Sequence, residues 1–258
     1  MVSKATQKWI RSLEHKKYRQ ELGVFLAEGH KLTSDLLPLL RCRLLIATPA
    51  WLDANKQVIA TEIISTDQKT IGRISFLKHP QEVLGVFEIP DYQIRPDELK
   101  DGLSLALDNI QDPGNLGTIL RIADWFGICC VICSSDTVDA FNPKVVQATM
   151  GAIGRVKIVY TDLSTFLSET GLPIFGTFLD GTSIYSTRLP ASGIIVMGNE
   201  GNGISSAIAS LVTQKLFIPD YPVGKTGSES LNVSVATAIV CSEFRRRAAG
   251  NALVEIQG

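Results

Sequence analysis

Apolar and polar positions along this chain alternate between two periods. Over residues 4–20 they recur at helical spacing, with Trp9, Ile10 and Leu13 on one face and Lys or Arg on the other, which predicts an amphipathic helix. GVFLAEG follows as a short apolar run that reads as a buried strand. The alternation continues through the helix HKLTSDLLPLL, the strand RLLIAT, a helix from Trp51 to Asn55, the strand VIATEII, the helix DQKTIGRI and the strand VLGVFEI. Residues 1–90 are therefore expected to form a small α/β domain. The following PDYQIRPDELKDG, with two prolines, mixed charge and little periodicity, reads as a linker over 91–102.

From residue 103 the apolar runs strengthen: LSLALDNI, ICCVICS, RVKIVY, LPIFGTF, GIIVMGNE and KLFIPD. Between them lie the helical segments NLGTILRIADWFG, PKVVQATMGA, LSTFLSETG and GISSAIASLV, and LNVSVATAIVCSEFRRRAAG closes the chain as a helix. Near-continuous apolar strands separated by helices predict an α/β fold over 103–258, a mostly parallel sheet with helices on both faces. Ligands of such sheets bind beyond the carboxyl ends of the strands, so the residues just after each strand are where chemistry is sought.

Composition narrows the class. The chain is 45% hydrophobic and 20% charged, and no apolar run reaches the roughly 20 residues of a membrane span, so no membrane partner is expected. The first 20 residues lack the apolar stretch of a secretory signal, which predicts a cytoplasmic protein. Five cysteines without framework spacing fit a reducing compartment. Cys130 and Cys133 form one C-x-x-C inside an apolar strand, where a structural role is expected, and no metal site is visible. Residues 1–45 carry nine Lys/Arg against four acids although the net charge is −1. This basic stretch is either a solvated helix face or a surface for a polyanion.

Three post-strand segments hold the candidate chemistry: 105–127, 194–205 and 218–240. In the first, Asn109, Asp112, Gly114, Asn115 and Gly117 crowd a turn, Asn115 is placed to cap a helix, and Arg121 projects from its second turn. Arg121 there is either an ordinary surface ion-pair residue or a ligand-edge residue. In the second, Gly198, Gly201 and Gly203 surround Asn199, Glu200 and Asn202, either as a tight turn or as a loop that lets a ligand approach the backbone. In the third, Ser228, Ser230 and Asn232 stand at the mouth of a helix expected to bury Leu231, Val233, Val235, Ala236 and Ile239. Gly224-Lys225-Thr226 ends like a phosphate-binding loop, but Pro219 occupies the position where that loop needs its first glycine.

Taken in order, these segments resemble the three motifs of the SpoU/TrmH family of RNA 2′-O-ribose methyltransferases. Asn115, Gly117 and Arg121 stand in N-x-G-x-x-x-R-x-A, GNEGNGIS is the second motif, and IP followed by SLNVSVA is the third. The resemblance covers about residues 103–248, and the basic N-terminal piece is similar to the small substrate-binding domain that often precedes it. It departs from the family in a longer loop from Asp220 to Ser228 and in Asp220, where methionine is common.

The resemblance implies a deep trefoil knot in the C-terminal domain, S-adenosyl-L-methionine as cofactor, structured tRNA or rRNA as substrate, and a homodimer through that domain. It implies cofactor contacts by Gly198, Asn199, Gly201, Ile218, Leu231 and Asn232, largely through backbone. It implies catalytic work by Arg121 and Asn115, with Glu200, Ser230 and Asn232 orienting the reactants, and with Asn115 and Arg121 of one subunit facing the other's cofactor. Two other classes stay open: a non-catalytic RNA-binding module that kept the fold, and a nucleotide-dependent enzyme using the loop at Lys225.

Overall fold

A computed structural model describes residues 2–222 and 230–256, with the side chains of Pro96 and of residues 249–256 outside the description. Gly224, Lys225, Thr226 and Ser228 thus lie outside the described residues. The chain forms two compact units, one of Met1–Asp91 with Asp139–Arg155, the other of Tyr92–Val138 with Val156–Gly258. Residues 139–155, expected in the C-terminal domain, pack with the N-terminal unit instead.

The first unit opens with α1 (Lys4–Ser12) and α2 (Lys16–Leu22), where the sequence pattern predicts one helix. The break has a visible cause. Arg19, only 1% exposed, donates from Nη1 to the carbonyls of Leu13 (2.7 Å) and Glu14 (2.8 Å), satisfying acceptors that a helix end leaves free. Its Nε and Nη2 donate to Asp139 Oδ2 at 3.0 and 2.5 Å, so the buried cation meets its counter-ion on the segment that returns from later in the chain. Gly23, at φ +63°, ends α2 in the left-handed conformation that glycine adopts freely.

Then follow β1 (Val24–Glu28), α3 (His30–Leu36), β2 (Cys42–Ala47), α4 (Pro49–Ala54), β3 (Glu62–Ser65), α5 (Gln68–Ile74) and β4 (Val83–Glu88). The sheet order is β1-β4-β2-β3, with β4 antiparallel to both neighbours and β3 parallel to β2. The expected strand VIATEII shortens to β3 because only Glu62–Ser65 finds partners, Leu44–Ala47 of β2. Ile10, Leu13, Val24, Leu26, Ile46, Ile74 and Val86 share one buried cluster, each contributing about 1.5–3 kcal/mol through the apolar surface it removes from water.

The second unit begins with β5 (Leu103–Leu107), α6 (Pro113–Trp125) and β6 (Val131–Ser134). The chain then supplies α7 (Pro143–Thr149) to the first unit, and returns for β7 (Ile158–Thr161), α8 (Leu163–Glu169), β8 (Ile174–Ser183), β9 (Gly193–Met197), α9 (Ser206–Ala209), β10 (Gln214–Phe217) and α10 (Val233–Ile256). All pairings in the six-stranded sheet are parallel, in the order β10-β8-β9-β5-β6-β7. The α/β expectation and the mostly parallel sheet are met. The helix expected over GISSAIASLV contracts to the single turn of α9.

Chain order runs from β5 outward through β6 to β7, while β9 flanks β5 on the other side. The direction of winding thus reverses between β5 and β9, and the crevice beyond their carboxyl ends is where such sheets bind ligands. On the outer layer α10 packs on α6. Arg245 of α10 donates to the carbonyls of Phe126 (2.7 Å) and Gly127 (2.6 Å), closing the carboxyl end of α6. No helix of the described residues is long and apolar enough to cross a membrane.

Candidate active site

The three motif segments converge at that crevice. Asp108 and Asn109 follow the end of β5; Asn109 takes φ +59°, a conformation its short polar side chain tolerates. Asp108 is buried and accepts the Ser205 N–H at 2.7 Å, while its own N–H donates to the Met197 carbonyl at 2.9 Å, so the ends of β5 and β9 are tied together. The Asn199 amide donates to the Asn109 carbonyl at 2.8 Å and makes a second tie.

The GNEGNG segment is a closed turn. Asn199 and Gly203 exchange both backbone hydrogen bonds at 2.9 Å, and Asn199 Oδ1 accepts the N–H groups of Gly201 (2.9 Å) and Asn202 (3.0 Å). Gly203 sits at φ +68°. Gly198 is required for space: a Cβ there would lie 2.2 Å from the Gly203 carbonyl carbon. The turn holds Glu200 toward the start of α6.

Glu200 accepts from Asn115 Nδ2 at 3.0 Å and from the N–H groups of Asp112 and Gln111 at 3.3 and 3.5 Å. A carboxylate beside free amides at a helix start is favoured electrostatically. Asn115 does not cap α6 as the sequence suggested. Asp112 does, accepting the Asn115 N–H at 2.8 Å, and this frees the Asn115 side chain for other partners. Its Oδ1 accepts from Asn232 Nδ2 at 2.9 Å. Asn232 Oδ1 in turn accepts from Ser234 N–H (3.0 Å) and Oγ (2.6 Å) at the head of α10. One continuous set of hydrogen bonds, Glu200–Asn115–Asn232, thus joins the three motifs.

Other sequence candidates fall around this network. Ile218 is half-buried beyond β10, and Ser230 is exposed and outside the network among the described residues. Leu231 and Val235, expected inward, are 50% and 49% exposed. Arg121 is exposed, lies six residues beyond Asn115 on α6, and takes part in none of the hydrogen bonds of this network. Trp125, one turn further along α6, is 84% exposed. Asp108 was not singled out in the sequence, and Asp112 was placed in the turn without its capping role; an aspartate directly after an apolar strand and another before Pro113 were the available signals.

The C-x-x-C carries no reactive thiol. Burial pushes Cys130 up to about 12 and Cys133 higher still, where thiolates do not form near neutrality.

Residues 102–242 match the SpoU rRNA Methylase family and residues 5–85 match an MRM3-like substrate binding domain. The chain is 29% identical over 243 residues to the Bacillus subtilis 23S rRNA (guanosine(2553)-2′-O)-methyltransferase RlmP, covering 91% of this chain and 94% of that protein. It is 34% identical to the Neisseria meningitidis 23S rRNA (guanosine-2′-O-)-methyltransferase RlmB, over 70% of this chain and 75% of that protein. Among solved structures, a TrmH-family protein from Porphyromonas gingivalis is 42% identical with a TM-score of 0.87, covering 96% of this chain and 99% of that one. An AdoMet-bound rRNA methyltransferase from Sinorhizobium meliloti is 31% identical with a TM-score of 0.79, covering 95% and 97%.

Proposed function

Because the chain belongs to the SpoU rRNA methylase family, we propose that the Glu200–Asn115–Asn232 network and the closed turn packed on Gly198 form the site of an S-adenosylmethionine-dependent RNA 2′-O-ribose methyltransferase. The observation that carries this reading is that hydrogen bonds join all three motif loops at the switch point between β5 and β9.

The residues present suit the cofactor. Gly198 lets the Gly203–Ile204 backbone close against the strand end, the turn so formed puts Asn199 and Gly201 at the sheet's ligand edge, and the half-buried Ile218 with the exposed Leu231 offers apolar surface next to Asn232. These groups would hold S-adenosylmethionine, which supplies an electrophilic methyl on sulfur when bound. A ribose hydroxyl must then be aligned with that methyl and relieved of its proton. A guanidinium stays charged in proteins, so Arg121 does not serve as the base. Its role is to grip a neighbouring phosphate and favour the ionised hydroxyl, whose proton passes to solvent water, while Glu200, Asn115, Ser230 and Asn232 orient the reactants.

Arg121 needs a second subunit to meet this machinery. Trp125 on its helix, with Leu231 just before α10 and Val235 on it, leaves exposed apolar surface suited to a homodimer through the C-terminal unit, with Arg121 of one chain serving the network of the other. The trefoil knot implied by the motifs belongs to the same reading, as does a cytoplasmic location. Structured RNA is the substrate, with large-subunit ribosomal RNA the first candidate from the names of the relatives and transfer RNA the second. Calorimetry with S-adenosylmethionine, light scattering, and mapping of ribose methylation in RNA from cells with and without the protein test these points. A protein that binds no cofactor and changes no ribose would be an RNA-binding module only.

A further inference from the structure

The first unit holds a cavity of about 360 Å³ that methyl transfer does not use, within the ~300–1,000 Å³ of ligand clefts. Leu77, Pro143 and Phe76 give it apolar walls, and Lys144 and Gln147 also line it. The Arg11 guanidinium lies 5.0 Å from the centroid of the Phe76 ring and donates to the Ser75 carbonyl at 3.0 Å, which fixes that wall.

At the end of β1, Glu28 reaches this cavity although it is only 6% exposed. One carboxylate oxygen accepts from Ser75 Oγ and the other from the Phe76 N–H at 2.9 Å. A carboxylate offers about four lone-pair sites, so two acceptors remain. Burial pushes the Glu28 pKa up, and the bonds from Ser75 and Phe76, with Arg11 nearby, oppose that shift. Buried acceptors are stabilised by a ligand that brings donors to them.

The chemistry of the cavity describes its ligand. Apolar walls with an aromatic ring suit a flat heterocycle, the exposed Lys144 suits an anion attached to it, and Glu28 asks for two adjacent N–H donors. Of the four RNA bases only guanine presents two neighbouring donors, N1–H and the N2 amino group, on its Watson–Crick edge. Adenine, cytosine and uracil each set an acceptor next to their donor, and that acceptor would face the carboxylate.

We infer that this cavity is a guanine pocket, which seats an unstacked guanine of the RNA substrate with its Watson–Crick edge on Glu28 and its phosphate toward Lys144. The inference rests on the RNA-methyltransferase reading, but the pocket is built from the first unit alone.

The test is binding of guanosine, inosine and adenosine 5′-monophosphates, and of the RNA pentamers AAGAA and AAAAA, to the full chain. Inosine keeps N1–H and lacks the amino group. The expected order is guanosine, then inosine weaker by about tenfold, then adenosine, since a bidentate base contact discriminates by about 5- to 150-fold. Glu28→Gln should erase the preference for guanosine over adenosine. Ala148→Trp, which fills the cavity from a lining position on α7, should abolish binding of every nucleotide while leaving Glu28 in place. Should Glu28→Gln fail to fold, the nucleotide order of the unaltered protein and the Ala148→Trp result decide alone.

Equal affinity for guanosine and adenosine nucleotides, or a preference that survives Glu28→Gln, overturns the pocket. Guanosine monophosphate binding without discrimination between the pentamers overturns the assignment to RNA. S-adenosylmethionine calorimetry on the same samples separates the two readings: normal cofactor binding with no guanine preference removes only the pocket, whereas absent cofactor binding removes the methyltransferase reading.

Discussion

Asn232 gives its side-chain amide to Asn115 Oδ1 at 2.9 Å across 117 residues of chain. Both asparagines have their orientation dictated. Asn232 Oδ1 is taken by the donors of Ser234 at the head of α10, so only its NH₂ faces Asn115. Asn115 must then accept on one atom, and its NH₂ turns to the Glu200 carboxylate. The network has a single polarity, and the acceptor-only carboxylate of Glu200 ends it.

Reversing one link should therefore break the whole set. Asn115→Asp keeps shape but puts a carboxylate against Glu200 where Asn115 Nδ2 stands at 3.0 Å. Methyl transfer is expected to fall about 10²-fold, the scale of a lost positioned group, with partial recovery in the Asn115→Asp, Glu200→Gln double variant. Single-turnover rates for the four proteins of this cycle measure the coupling, and additive losses would show that the link is idle in catalysis.

Arg121 should separate activity from stability. It is exposed, so Arg121→Ala is expected to change folding stability by no more than about 0.5 kcal/mol while lowering kcat/KM about 10²-fold or more. Arg121→Lys keeps the charge but loses the planar fork, and should remain impaired. A lysine variant with full activity at neutral pH removes the phosphate-clamp role.

Two glycines of one loop should behave differently. At Gly198 a methyl group would meet the backbone of Gly203 and Ile204, at 2.2 and 2.3 Å, and the turn must open. At Gly201 the nearest atom would be Asn199 Oδ1 at 3.6 Å, an ordinary contact. Calorimetry should show Gly198→Ala losing at least about tenfold in S-adenosylmethionine affinity, with one pKa-unit's worth of free energy, about 1.4 kcal/mol, as the yardstick. Gly201→Ala should lose much less.

The legible parts of this molecule were those governed by local pattern. Continuous apolar runs marked the strands of the parallel sheet, and the small and amide residues after β5 and β9 marked its ligand edge. What could not be read depended on distant partners. The split of the first helix is set by Arg19 finding Asp139, 120 residues away. Asn115 looked like a cap because it precedes an apolar helical face, yet Asp112 and Pro113 start the helix earlier. Leu231 and Val235 obey a helical pattern and still face outward, which a single chain's periodicity does not distinguish from burial.

Acid should loosen α10. Hydrogen bonds from Arg246 first, and then from Arg247, hold Glu243 down to about 2 from an ordinary value of 4.5, against the opposing effect of burial. A depressed carboxylate stabilises the fold fully above its unfolded pKa, and that contribution is lost as pH falls from 4.5 through 2. Melting temperature should drop across that window, and Glu243→Gln should flatten part of the drop while lowering the value at neutral pH. An unchanged acid slope in the variant assigns the loss to other carboxylates.

The passage of Asp139–Arg155 through the first unit also bears on how the chain is made. Domains generally fold as they leave the ribosome, amino-terminal first. Here the amino-terminal unit cannot finish that way: the counter-ion for its buried Arg19 and the Phe141 ring that packs 5.1 Å from Phe25 are synthesised only after β5, α6 and β6. Maturation is therefore expected to be interleaved, with the amino-terminal layer completed only after β6 has been made.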